Sequence, residues 1–503
     1  MSKSRSTDYW LSGIIILAAF LRLFRIGALT EFLGDQGRTM LIMRQFVEQG
    51  TVPLAGPTTL SGHHLGPFFY YLLLPGYLAG GNPLGVSLWM AILGVVAVIL
   101  LYKTVKELFG SVPARLAAFL WAVSPNMVTA DRIIWEPNLV PLFSVLFLFL
   151  LYRAYQRWLA VWWIALGATV GVLVQLHYPN LYFIGLVFLV VVAARYYRVA
   201  SVRQIFSAAV WWGLGLCIVI APFLWYEMTV GFRDITGIFG VLGEGTRVVM
   251  SKRAMVWQAL DYSFRVWGKM LPWMSRWPAL VVLGAWGIFL FFTPTKKNIF
   301  LTVWFLGGVT AMVRYSGVVH DHYLSFITPV PFLMLASVVS RIKHAIVRYG
   351  LIGTVIVIGS VHLFHTDIFR AGTNDIGRTQ AAVSQIAQLT KESPFTFTLL
   401  TSRSYSDLHY RYAMAVAGLV PLSVTRDESR FLVLVCDTRQ CPSAPDVTKL
   451  RDLQAMCYDE HCRGRYPTIE LARDWSYIRD EEVNTAAGSE GRVYLFERKS
   501  ERE

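Results

Sequence analysis

Apolar residues in this chain gather into runs of about twenty, separated by short polar connections. A helix rising 1.5 Å per residue needs roughly 20 such residues to cross a hydrocarbon core of about 30 Å. Runs that meet or approach this length occupy 9–29, 84–102, 114–130, 137–152, 159–176, 179–194, 206–225, 278–293, 299–314, 324–340 and 349–366, and they predict about eleven spanning helices. The stretch 67–79 is apolar but short, and Pro67 and Pro75 interrupt it. It reads as a helix lying on the membrane surface or re-entering it. Lys3 and Arg5 precede the first run, which is too long for a secretory signal and lacks a small-residue cleavage site; it reads as a retained signal anchor.

Past about 367 the pattern changes. Ala382, Ile386 and Leu389 recur at helical spacing, whereas FTFTLL (395–400), FLVLVC (431–436) and RVYLFE (492–497) are β-rich. The expected fold is therefore mainly α: a polytopic transmembrane domain over 1–366, followed by a small soluble α/β domain over 367–503.

Composition supports this reading. Hydrophobic residues make up 55% of the 503 and charged residues only 16%, too few to coat a soluble chain of this length. The net charge of +14 would suggest nucleic acid if it formed a compact basic, aromatic-interleaved domain, but no such domain exists. The Lys and Arg residues cluster instead between apolar runs: Lys3 and Arg5; Lys103, Lys106 and Arg115; Arg153 and Arg157; Arg195, Arg198 and Arg203; Lys296 and Lys297; Arg341, Lys343 and Arg348. These fall at every second connection, which assigns that side to the cytoplasm. The connections 30–83, 131–136, 177–178, 226–277 and 315–323, with the C-terminal domain, are then extracytoplasmic, in a multi-pass protein of the cell membrane. Cys436, Cys441, Cys457 and Cys462 fit disulfides in an external domain, with zinc as the alternative; their pairing is open. Cys217, in an apolar run, reads as a small buried side chain.

Candidate chemistry concentrates on the external face. Asp35 follows directly on the first run, between Gly34 and Gln36, with Arg38 three residues on. A carboxylate at the bilayer edge is costly unless it pairs or works, although Asp35 could also cap the helix that follows. His63 and His64 are ordinary loop residues or ligand contacts; a metal is poorly supported there, since adjacent histidines point apart and no acidic cluster surrounds them. His177 lies on a tight external hairpin. His320, Asp321, His322 and Tyr323 place four polar groups at the mouth of one helix, more than a simple loop requires. Arg22 and Arg25 either snorkel to the headgroups or, by their i, i+3 spacing, aim together at one side. The loop 226–277 is basic overall, which suits a solvated loop or one that attracts anionic headgroups.

Several strings, in this order, resemble one family. An acidic DQ pair (35–36) leads into an amphipathic helix, then LGPFFYYLL (65–73) and NPLGVSLWMAILGVVAVILLYKTVKELFG (82–110). SPNMVTADRIIWEPNLVPLF (124–143) is similar to the family's second external loop, LVQLHYPNLYFIGL (173–186) to its tight hairpin, and HDHYLSFITPVPFLML (320–335) to its polar loop and Pro-containing helix. The family is the GT-C membrane glycosyltransferases, including protein O-mannosyltransferases and lipid A aminoarabinose transferases, and the resemblance covers about 9–366. It implies transfer of a hexosyl or pentosyl group from a polyprenyl-phosphate donor to a lipid, polysaccharide or protein acceptor; no cofactor is expected, since no complete metal-ligand set is visible, while the resemblance leaves metal dependence open. Such a reaction needs a carboxylate to take the acceptor proton and cations or donors to hold the departing phosphate. By resemblance Asp35 matches the family's acidic position, and Glu136 or Asp131 the second acidic group. Gln36, Arg38, His63, His64, His177, Arg314, His320, Asp321, His322 and Tyr323 are the candidate substrate contacts. A transporter or flippase for a lipid-linked sugar is the alternative, but no internal repeat is visible and the polar groups sit at one face rather than mid-membrane. A non-catalytic assembly factor or receptor, acting through 367–503, is a third.

Overall fold

The computed structural model describes all residues except 1–7, 60–61, 245–250, 272–275, 424–428, 455–467, 486–487, 500–503 and the single positions 316, 392, 402, 405, 439 and 452. Two compact units are present. The first comprises Met1–Phe24, Val52–Gly76 and Leu88–Arg370; the second comprises Arg25–Thr51, Tyr77–Ser87 and Ala371–Glu503.

Helices dominate the chain, as the apolar runs require. Six among the described residues are long and apolar enough to cross a membrane: Pro83–Phe109, Glu136–Arg157, Tyr178–Tyr196, Val202–Thr229, Asp321–Arg341 and Ala345–Phe369. Shorter apolar helices are Tyr9–Leu23, Phe68–Gly80, Ser111–Val123, Ala160–Leu176 and Leu280–Phe292. The run 299–314 forms the helix Lys296–Val313. The first run is not one continuous helix: it ends at Leu23, and Arg25, at φ 54°, precedes the four-residue helix Ile26–Leu29. The 67–79 stretch is helical over Phe68–Gly80 with Pro75 inside it.

Many large apolar side chains of the first unit point outward, among them Phe188, Phe206, Ile218 and Phe291. That is the surface a hydrocarbon solvent demands, since lipid rather than water satisfies it. Cys217 shares this outward face and is a free, exposed cysteine rather than a buried one. Packing within the unit depends on small residues. A Cβ on Gly167 would lie 1.9 Å from the Trp212 carbonyl oxygen, and one on Gly215 would lie 2.0 Å from that of Ile164. The helices Ala160–Leu176 and Val202–Thr229 therefore touch backbone to backbone, with Gly167 and Gly171 on a GxxxG spacing.

The second unit contains a four-stranded sheet. Strand Phe395–Thr401 pairs in parallel with Phe431–Cys436, which pairs antiparallel with Gly488–Arg498, which pairs antiparallel with Trp475–Thr485. Phe431–Cys436 is central and every residue in it is buried, which explains its unbroken apolar run. Its odd-numbered residues Val433 and Val435 pack with Ala382, Ile386 and Leu389 of the helix Asp375–Thr390. Its even-numbered Leu432 and Leu434 pack with Trp475 and Phe496 on the other face. A disulfide joins Cys436 to Cys441; Cys457 and Cys462 lie outside the described residues.

Candidate functional site

Asp35 belongs to the second unit and lies in the first turn of the helix Gly34–Glu48. Leu33, not Asp35, is the N-cap residue. Gln36 is buried, and its Oε1 accepts from the Leu33 N–H at 2.9 Å, closing the helix start. Arg38 Nη2 lies 2.9 Å from Asp35 Oδ1, with both side chains about a quarter exposed. An anionic side chain in a helix's first turn is favoured by the dipole. Two glycines let this turn sit close to Ser406 and His409: a Cβ on Gly34 would lie 2.5 Å from Ser406 Oγ, and one on Gly37 would lie 2.2 Å from the His409 backbone nitrogen. Four residues before Asp35, Glu31 sits at the rim of the same group. Loss of water from its surroundings raises its carboxyl above the usual range, helped by the negative charges of Asp375 and Asp35 and opposed by Arg403.

Within the first unit, a cavity of about 440 Å³ gathers groups from three chain segments. Its walls include Asp131, Trp135, Arg265, Lys269, Asp321 and His322. Asp131 Oδ2 receives a hydrogen bond from Arg22 Nε at 2.8 Å, and Arg22 is fully buried. Arg22 thus pairs internally and does not snorkel. Arg265 pairs with Asp321 and donates to the Val319 carbonyl at 2.8 Å. Lys269 Nζ donates to Thr328 Oγ1 at 3.1 Å. Burial pushes this ammonium's pKa down to about 8, with Asp321 opposing the fall and Arg265 adding to it. The ring of His322 packs against Trp135 at 4.5 Å between centroids and against His177 at 5.3 Å.

Around the cavity, Tyr323 lies 4.7 Å from both His177 and His322, and His320 stacks on His322 at 5.6 Å. His177 is held neutral: burial pushes its pKa to about 3, and His322 adds to the shift. Neutral imidazole can donate or accept a hydrogen bond but supplies no charge to a phosphate. Glu136 is buried at the start of the 3₁₀ turn that leads into the helix Val140–Arg157. Arg314 closes the helix Lys296–Val313 and is exposed.

His63 and His64 form a separate cluster in the first unit. Both approach the buried Asp234, at 3.6 and 3.0 Å, and His64 also meets the Tyr226 hydroxyl at 3.3 Å. No three or more His, Cys, Asp or Glu side chains among the described residues have the disposition of a metal-ligand set.

Arg265 and Lys269 stand four residues apart in the basic loop, where sequence alone gave no reason to single them out. Arg265 lies in the helix Lys252–Trp267 and Lys269 in the turn just past its end. Asp234 was likewise hidden, as one acidic residue among many basic ones.

A family model described as dolichyl-phosphate-mannose-protein mannosyltransferase matches residues 65–226. YkcB of Bacillus subtilis (strain 168), which carries a mannosyltransferase designation, is 26% identical over 182 residues, a match spanning 34% of this chain and 24% of that relative. Crystal structures of ArnT from Cupriavidus metallidurans, one bound to undecaprenyl phosphate and one in the apo state, share the fold at a TM-score of 0.62 and 13% identity. The likeness covers 97% of this chain and 98% of ArnT. The sequence similarities are partial, the family match being confined to 65–226, whereas the likeness to ArnT, at 13% identity, is one of fold and runs over nearly the whole chain.

Proposed function

We propose that this protein transfers a sugar from a polyprenyl-phosphate donor to an acceptor at the extracytoplasmic face of the cell membrane, with Asp35 as the general base. The observation that carries the reading is the end-to-end fold likeness to ArnT, one of whose structures holds undecaprenyl phosphate. In this reading Asp35 takes the proton of an acceptor hydroxyl or amine as that atom attacks the sugar's anomeric carbon. The bond from that carbon to the phosphate oxygen breaks, and polyprenyl phosphate leaves with the bonding pair. The charge that develops on the phosphate needs fixed cations. Arg38, beside Asp35 in the same unit, is proposed for that role. Asp131 is assigned to structure rather than proton transfer, because its carboxylate is engaged by Arg22. No cofactor is invoked.

The test is reconstitution of the full chain in liposomes with a radiolabelled polyprenyl-phosphate sugar. Release of free polyprenyl phosphate together with labelled acceptor is the expected result. Movement of label across the bilayer with the sugar-phosphate bond intact would instead identify a flippase.

A further inference from the structure

The turn that carries Asp35 is tied to the C-terminal part of the chain at several points, all inside the second unit. The Asn374 N–H donates to the Ala28 carbonyl at 3.0 Å, and a Cβ on Gly372 would lie 2.1 Å from that same oxygen. The Gly34 N–H donates to Ser404 Oγ at 3.0 Å. Between these ties sits Asp375, only 1% exposed. Its Oδ2 accepts from the Phe32 N–H at 3.3 Å, while its Oδ1 lies 3.0 Å from Arg378 Nη2 and 2.5 Å from Arg403 Nη2. Arg378 continues the chain to the buried Asp437 at 2.6 Å.

A carboxylate at the first position of a helix is commonly explained by the dipole alone. Asp375 exceeds that explanation. It is buried, it is shared between two guanidinium groups, and its second oxygen reaches a backbone amide 343 residues away in sequence. A buried charge of this kind persists only when its partners are fixed, and one of them is the backbone three residues before Asp35.

We propose that Asp375 is a positioning residue for Asp35: it fixes the 31–34 turn so that the Asp35 carboxylate is held in one orientation at the start of its helix. The role rests on the reading of Asp35 as the base. It makes the C-terminal domain a structural part of the reacting site, beyond any part it plays in acceptor recognition.

The test uses the full chain in lipid nanodiscs and two readouts. Asp375→Ala is expected to speed amide hydrogen exchange over 31–36 by about 10- to 100-fold, the factor that follows from losing a charge-assisted hydrogen bond. Helices of the first unit should keep their protection. The same variant should lower kcat and leave the donor KM unchanged, because the turn orients the base rather than binding the lipid. Asp375→Asn keeps an acceptor for Phe32 while losing the charge, and should fall between. If Asp375→Ala does not fold, Ser404→Ala, which removes the acceptor of the Gly34 N–H and of the Ser406 N–H but leaves Asp375 in place, should shift both readouts in the same direction. Wild-type exchange over 31–36 in a folded Asp375→Ala protein would overturn the proposal. Wild-type protein that releases no polyprenyl phosphate would overturn the reading of Asp35, while the exchange result would still decide whether Asp375 holds the turn.

Discussion

Arg22 and Asp131, 109 residues apart in sequence, meet at 2.8 Å with the guanidinium fully buried. Arg22 also donates to the Ala122 carbonyl at 2.9 Å, so one side chain secures the helix Tyr9–Leu23 to the end of Ser111–Val123 and the loop beyond. Removing one member strands the other's charge. Arg22→Ala or Asp131→Ala should each destabilise the protein by roughly 3–5 kcal/mol, whereas Arg22→Met with Asp131→Leu should cost much less. Thermal denaturation of the detergent-purified variants measures this.

The glycine contacts between Ala160–Leu176 and Val202–Thr229 give a second expectation. Gly167→Ala or Gly215→Ala drives a methyl into a carbonyl oxygen about 2 Å away, and should cost about 1–3 kcal/mol or more. Gly213, on the same helix as Gly215 but with nothing within 4 Å, should accept alanine with a change of at most about 1 kcal/mol. The same denaturation assay compares them.

Lys269 gives a pH dependence with a definite sign. Its folded pKa of about 8 lies below the ordinary lysine value of 10.5, so between the two the unfolded chain binds more protons than the folded one. Stability should therefore rise with pH across that window, and Lys269→Met should flatten the rise. Lys269→Arg, whose charge persists, should flatten it too. Thermal denaturation between neutral pH and pH 9.5 measures the slope.

Much of the fold was legible in the sequence because its signals are local. Run length alone specified the long helices, and the unbroken FLVLVC run specified the central strand, buried on both faces. Strand Trp475–Thr485 was not recognised: its RDEE segment is charged, and what makes it a strand is pairing with Gly488–Arg498. The break at Arg25 was missed because apolarity continues across it.

The candidate site was legible only in part. Asp35 stood out as a carboxylate at a helix boundary, and the HDHY group as polar density at a helix mouth. Sequence could not reveal that Gln36 is used in closing the helix start, that Asp131 is engaged by Arg22, or that Arg265 and Lys269 share a wall with His322. Those facts depend on side chains brought together from distant segments. Nor could it reveal that Asp234 draws His63 and His64 into a cluster of their own.

The most direct measurement is the turnover of Asp35→Asn. Asparagine preserves the shape and leaves the Leu33–Gln36 hydrogen bond at the helix start in place, so the variant should insert and melt as the wild type does. Its release of polyprenyl phosphate should fall roughly 10²- to 10⁴-fold, the range a general base supplies. A folded Asp35→Asn protein that transfers sugar at the wild-type rate would contradict the account.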